Sequence, residues 1–160
     1  MTVDSTHDDR LTLDQQVCFT LTVASREVVS LYRPLLEPLG LTHPQYLVMV
    51  TLWGTADPVS VKQLSTMLQL EPPTLSPLLQ RLNRAGLVER ERDPADGRSL
   101  QVTLTERGRA LRAQVAHVPE TIIEQLGMTM AELESLQAAL TDVVLRARAL
   151  NDRFPGQAQA

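Results

Sequence analysis

The sequence carries one cysteine, Cys18, and a thiol is the side chain here best able to do covalent chemistry. As a thiolate it is a nucleophile toward peroxides, and oxidation yields a sulfenic acid that condenses with a second thiol where one is at hand. No second cysteine exists, so an internal disulfide is impossible, and this cysteine usage fits a reducing cytoplasm. Taken by itself, Cys18 reads as a small buried hydrophobe. Geometry adds a constraint. Cys18 and Tyr32 fall on one stripe of a predicted helix but are fourteen residues apart, about 21 Å at 1.5 Å per residue. They cannot meet within one straight helix. If Tyr32 serves Cys18, a second subunit must supply it.

A second set of pointed residues is cationic, amidic and hydroxylic. Between Arg81 and Arg112 stand eight of the fifteen basic residues against five acids, although the whole chain has a formal net charge of −4. Such asymmetry leaves one basic surface for a polyanion on an otherwise acidic molecule. In the predicted helix Pro73–Ala85, Leu75, Leu78, Leu79, Leu82 and Ala85 make the apolar stripe, while Thr74, Ser76, Gln80, Arg81 and Arg84 lie on other faces. Hydroxyls at a helix start suit phosphate and base-edge contacts, and Gln and Arg read adenine and guanine edges in a major groove. The same pattern also suits an ordinary amphipathic helix. Pro77 is expected to be tolerated only in a first turn, where its missing N–H goes unused. Downstream, LVERERD and SLQVTLT alternate apolar and polar residues around a Pro94-Ala-Asp-Gly97 tip, as a two-stranded hairpin does. Arg90 and Arg92 lie on its first strand, and Arg98 sits at the tip beside Asp96. An arm carrying one arginine fits a narrow minor groove.

Helices must position both sets. Four segments match a capping box, in which a hydroxyl and an acid or amide satisfy a helix's first N–H groups reciprocally: Thr12–Gln15, Thr42–Gln45, Ser60–Gln63 and Thr129–Glu132. The spacing predicts a first helix over Leu13–Leu36 with two apolar stripes, one holding Val17, Leu21, Val28 and Leu31, the other Cys18, Thr22, Val29 and Tyr32. A helix with two such stripes packs on two sides, for example against its own domain and a second subunit. A turn at Pro38-Leu-Gly40 leads to helices over Pro44–Trp53, Val61–Leu68 and Pro73–Ala85, then the hairpin. Helical segments follow over Glu106–Gln125, interrupted by Pro119, and Met130–Asn151. FPGQAQA reads as a disordered tail. Aromatics are 3% of the 160 residues, so the core must be built from Leu, Val and Ala. No apolar run approaches the roughly 20 residues of a membrane span, and no secretory signal is read at MTVDSTHDDR. The expectation is one mainly α domain with a small β-hairpin wing: a winged helix-turn-helix.

Residues 59–108 resemble the core of the MarR family of bacterial regulators, with matches at Leu79, Leu82, Gly86, Leu87, Val88, Arg90, Pro94, Asp96, Arg98, Val102, Leu104, Thr105 and Gly108. The resemblance extends over about residues 11–150. It implies a homodimer whose first and last helices interlock (residues 11–41 and 106–152), with residues 42–105 as the DNA-binding lobe and 153–160 as the tail. It further implies that residues of Thr74–Arg84 enter the major groove, Arg98 the minor groove, and that Asp96 orients the wing. Residues 15–49 are similar to the organic-hydroperoxide-resistance subgroup, through Cys18-Phe19, Ser25-Arg26-Glu27, Tyr32-Arg33-Pro34-Leu35-Leu36, Leu39-Gly40-Leu41-Thr42 and Pro44-Gln45-Tyr46. With no second cysteine, the chain resembles the one-cysteine type. There the sulfenic acid persists or is capped by a low-molecular-weight thiol.

The sensor pocket that this implies is Cys18 with Tyr32, His43, Tyr46 and Thr22. Thr22 and His43 stand where the subgroup usually has tyrosines. A thiolate needs donors or positive charge to fall below a pKa of about 8.5. Thr22 is a weaker donor than tyrosine, and His43 serves as donor or, if protonated, as a stronger partner. The resemblance therefore implies a cytoplasmic, homodimeric repressor on a palindromic operator in double-stranded DNA, with an organic hydroperoxide as oxidant. No cofactor, metal, membrane or enzymatic activity is implied. A second reading replaces oxidation by a phenolic or aromatic acid bound between dimer core and winged lobe. A third, a thiol peroxidase, lacks a resolving cysteine and any catalytic cluster. Zinc-ligand spacings, phosphate-cradling glycine loops and triad motifs are absent from the sequence.

Overall fold

The computed structural model describes residues 16–55 and 58–153. The Thr12–Gln15 capping box, the first residues of the expected first helix and the FPGQAQA tail lie outside the described residues. The chain divides into two compact units, residues 1–118 and 119–160.

In the first unit, α1 (Val17–Leu36) ends in a 3-10 turn over Glu37–Leu39, closed by Gly40 at φ 69°, where Leu41 N–H returns to Leu36 O at 3.1 Å. Then come α2 (His43–Trp53), β1 (Val59–Ser60), α3 (Val61–Leu68), α4 (Pro72–Arg84), β2 (Val88–Arg92), β3 (Leu100–Leu104) and α5 (Glu106–Val115). The Thr42 and Ser60 boxes are both closed, with each hydroxyl accepting from the glutamine N–H three residues on and each glutamine side chain answering at the cap N–H. Gln45 is buried, and this cap is what its polar end is used for.

Two expectations are corrected. The sheet has three strands in the order β1-β3-β2, because Val59–Ser60 adds to the hairpin through Val59↔Val102 and Ser60↔Gln101. Pro77 lies beyond the first turn of α4, which begins at Pro72. The helix continues through it, forgoing one backbone bond, because Leu75, Leu79 and Leu82 beside it are fully buried.

That leucine stripe of α4 is the centre of the core, with Leu36, Val48, Met49, Leu52, Leu64, Val88 and Val102 around it. Leucine and valine fill it together with Met49, as the scarcity of aromatics requires, but alanine, expected there too, contributes no buried side chain among the described residues. Trp53 is half-buried and donates its Nε1–H to Gly108 O at 2.9 Å. Thr105 Oγ1 donates to Gly86 O at 2.6 Å and accepts from Gly108 N at 2.9 Å. A Cβ on Gly108 would stand 2.0 Å from Leu87 O, so only glycine lets α5 seat against the base of the wing.

Helix α6 (Val118–Leu126) crosses the boundary between the units, and α7 (Met130–Arg153) follows Gly127, which has φ 62°. The break expected at Pro119 falls at Ala116–His117 instead. Pro119 sits inside the first turn of α6, where its lack of an N–H costs nothing. The Thr129–Glu132 box opens α7. No residue of α7 is buried, and Leu136, Leu140, Val143, Val144 and Leu150 are exposed along it. Spacings of four, three and seven residues place Leu136, Leu140, Val143 and Leu150 on one seam. Helix α1 is similar: only Leu36 is buried, while Val17, Phe19 and Val29 are exposed.

Candidate nucleic-acid interface and thiol site

Helix α4 presents its polar residues outward because Leu75, Leu79 and Leu82 are buried in the core; of the other two residues expected in that stripe, Leu78 is half-buried and Ala85 is exposed just past the helix. Thr74, Gln80, Arg81 and Arg84 are exposed, and Ser76 is half-buried. Pro72 and Pro73 occupy the first turn, so fewer of its N–H groups need partners. Asn83, which sequence reasoning did not single out, donates its Nδ2–H to Val88 O at 2.9 Å and fixes the end of α4 to β2.

The wing tip is ordered by two aspartates. Asp96 Oδ1 accepts from Arg98 N at 3.1 Å, and Asp93 Oδ1 accepts from Ala95 N at 2.8 Å. Asp93 N donates to Ser99 O at 2.9 Å and Ser99 N to Asp96 O at 2.8 Å, closing the loop. Arg92 reaches over the tip to Gly97 O at 3.3 Å, bracing it from the strand. Arg98 is exposed at the end of this framework. Asp93 was missed by sequence reasoning, yet Asp93-Pro94 is the start of a side-chain-to-backbone turn and signals it. Arg90 is half-buried, and its Nε is buried without a hydrogen-bond partner.

The thiol lies elsewhere. Cys18 is exposed in the first turn of α1, which corrects its reading as a buried hydrophobe. Thr22 donates its hydroxyl to the Cys18 backbone carbonyl at 2.8 Å, so that proton serves the helix and not the sulfur. Tyr32 lies near the other end of the continuous helix. There it meets His43 edge-to-face at 4.7 Å between ring centroids, and Tyr46 at 5.9 Å. Burial raises the Tyr32 phenol above its ordinary value, and burial together with the neighbouring Tyr32 raises Tyr46. Burial lowers His43 below its ordinary 6.5, which favours the neutral imidazole. Tyr32, His43 and Tyr46 thus form a cluster of two phenols and an imidazole. Cys18 and Thr22 are not part of this cluster within one chain. Among the described residues, no group of three or more His, Cys, Asp or Glu side chains could hold a metal ion, and no helix is long and apolar enough to cross a membrane.

The MarR family matches over residues 41–100, which run from the start of α2 into β3. The chain is 37% identical over 132 residues to the organic hydroperoxide resistance transcriptional regulator of Bacillus subtilis, covering 82% of this chain and 89% of that relative. It is 39% identical over 150 residues to the HTH-type transcriptional regulator TtmR of Methylorubrum extorquens, covering 92% and 76% respectively. The solved structure of reduced AbfR of Staphylococcus epidermidis bound to DNA superposes with a TM-score of 0.73 at 30% identity, covering 88% of this chain and 97% of that one. An aliphatic core that turns the polar face of α4 outward, a wing ending in Arg98 and this span of likeness converge: the chain belongs to the MarR family of winged-helix, DNA-binding transcriptional regulators.

Proposed function

We propose that this regulator is a homodimeric repressor that releases a palindromic operator when an organic hydroperoxide oxidises Cys18. One observation carries the reading. The exposed Cys18 and the donor cluster Tyr32, His43 and Tyr46 lie near opposite ends of one helix whose apolar residues are largely uncovered. Two copies whose first helices cross bring each thiol to the other copy's donors. The Bacillus subtilis relative, named for organic hydroperoxide resistance, supports the same reading.

In this scheme residues 11–41 and 106–152 form the dimer core and residues 42–105 the DNA lobe. Thr74, Ser76, Gln80, Arg81 and Arg84 address the major groove, and Arg98 the minor groove, with Asp96 and Arg92 holding the tip that carries it. The Cys18 thiolate attacks one peroxide oxygen and the O–O bond breaks. The alcohol leaves with a proton from the donor cluster, and the sulfur becomes a sulfenic acid. Attack by a small thiol then expels water and leaves a mixed disulfide, which a second thiol reduces. The polar or bulky group at a packed interface biases the dimer away from its DNA-binding form.

A gel-shift titration on the chain's own upstream promoter DNA tests this, run reduced, with an organic hydroperoxide, with hydrogen peroxide, and after reductant is restored. Loss of binding to the organic peroxide and recovery on reduction are expected, and a Cys18→Ser protein should bind DNA and ignore peroxide. Release of the Cys18→Ser protein by peroxide would overturn the assignment of the sensor. Binding that ignores both peroxides in the parent would redirect the search to a small-molecule effector.

A further inference from the structure

The wing carries charges that its fold does not need. Strand β2 reads Val88-Glu-Arg-Glu-Arg92, and its register with β3 sorts these residues onto two faces. Val88, Arg90 and Arg92 stand opposite Leu104, Val102 and Leu100, on the face that includes the buried Val88, Val102 and Leu104. Glu89 and Glu91 stand opposite Thr103 and Gln101 on the other face, and both are exposed. Their cross-strand neighbours are uncharged. Among the described residues, neither carboxylate makes an ion pair or a side-chain hydrogen bond. The two aspartates of the wing differ, since both accept backbone N–H groups that shape the tip. Glu89 and Glu91 are thus two unscreened anions on an arm that otherwise presents arginine to a polyanion.

We propose that Glu89 and Glu91 set DNA discrimination by repulsion. They hold the outer face of the wing off the phosphate backbone, so that only poses seating the exposed Arg98 tip persist. Non-specific binding is a sum over many phosphate-contacting poses, and a repulsive element removes part of that sum while leaving one preferred pose intact. The effect is screened by salt over a Debye length of about 10 Å at 0.1 M. The inference rests on the wing's role in DNA binding and is independent of the redox reading.

The test is fluorescence-anisotropy titration of the full chain against its upstream promoter duplex and a scrambled duplex of equal length, at two salt concentrations. Glu89→Gln/Glu91→Gln should bind the scrambled duplex about fivefold more tightly at low salt and the promoter less than twofold more tightly. The ratio between the two duplexes should fall, and the gain should shrink as salt rises. Glu89→Asp/Glu91→Asp keeps the charge and should match the parent. Glu120→Gln/Glu124→Gln makes the same change of net charge on exposed residues of α6 and should leave the ratio unaltered. The proposal is overturned if the wing double amide leaves the ratio unchanged, if the α6 pair reproduces its effect, or if the aspartate variant behaves like the amide. A parent chain that binds neither duplex would remove the DNA-binding reading itself, which is a distinct failure.

Discussion

The winged lobe and the helices α1 and α7 solve the problem of apolar surface in opposite ways. In the lobe, Leu75, Leu79 and Leu82 of α4 are wholly buried, and its polar residues face outward as a result. In α7 nothing is buried, and a seam of Leu136, Leu140, Val143 and Leu150 lies open. The lobe is complete within one chain, while α1 and α7 carry the pattern of helices finished by another. The polar face of α4 is therefore displayed by internal packing, whereas in the proposed dimer the thiol takes its surroundings from assembly.

That contrast can be broken most forcefully in the core. Leu79→Ala should cost about 2–5 kcal/mol through lost burial and a residual cavity. Thermal unfolding should show it as a large fall in Tm, and a change under 1 kcal/mol would mean that α4 is not the keystone of the lobe. Next in size, Leu140→Asp should leave the lobe folded by circular dichroism yet weaken self-association about thirtyfold or more, read by analytical ultracentrifugation. An unchanged association constant would mean that the open seam is not where copies meet. Arg98→Ala should weaken promoter binding about tenfold without altering Tm, and should leave the response to peroxide in place. The smallest effect concerns His43. Its folded pKa is lowered by burial, so the unfolded chain binds more protons as pH falls below about 6.5. Stability should accordingly decline as pH drops through that point, and His43→Gln should flatten this part of the pH–stability curve. A parent curve that rises toward acid would reverse the sign of the argument.

How far the sequence reveals each region follows from the range of the interactions involved. Capping boxes at Thr42, Ser60 and Thr129 are legible because donor and acceptor lie three residues apart. The buried stripe of α4 is legible from its period. Strand β1 is not, because two residues carry no period and Val59 finds Val102 only through the fold. The break between α5 and α6 was expected at Pro119 but falls before it, since a proline is as suited to opening a helix as to ending one. At the thiol, helical rise alone shows that Cys18 and Tyr32 are remote. Nothing in the sequence shows that Thr22 commits its hydroxyl to a backbone carbonyl, or that burial lowers the pKa of His43. Those depend on rotamer and solvent exposure, which residue spacing does not encode.

The glycine at position 108 has a consequence for how motion travels. With Leu87 O against its α-carbon, Trp53 bonded to its carbonyl and Thr105 bridging to Gly86, the start of α5 and the stem of the wing are clamped into a single part. Like a key and its blade they form one piece, so a displacement of the start of α5 would carry the stem of the wing with it.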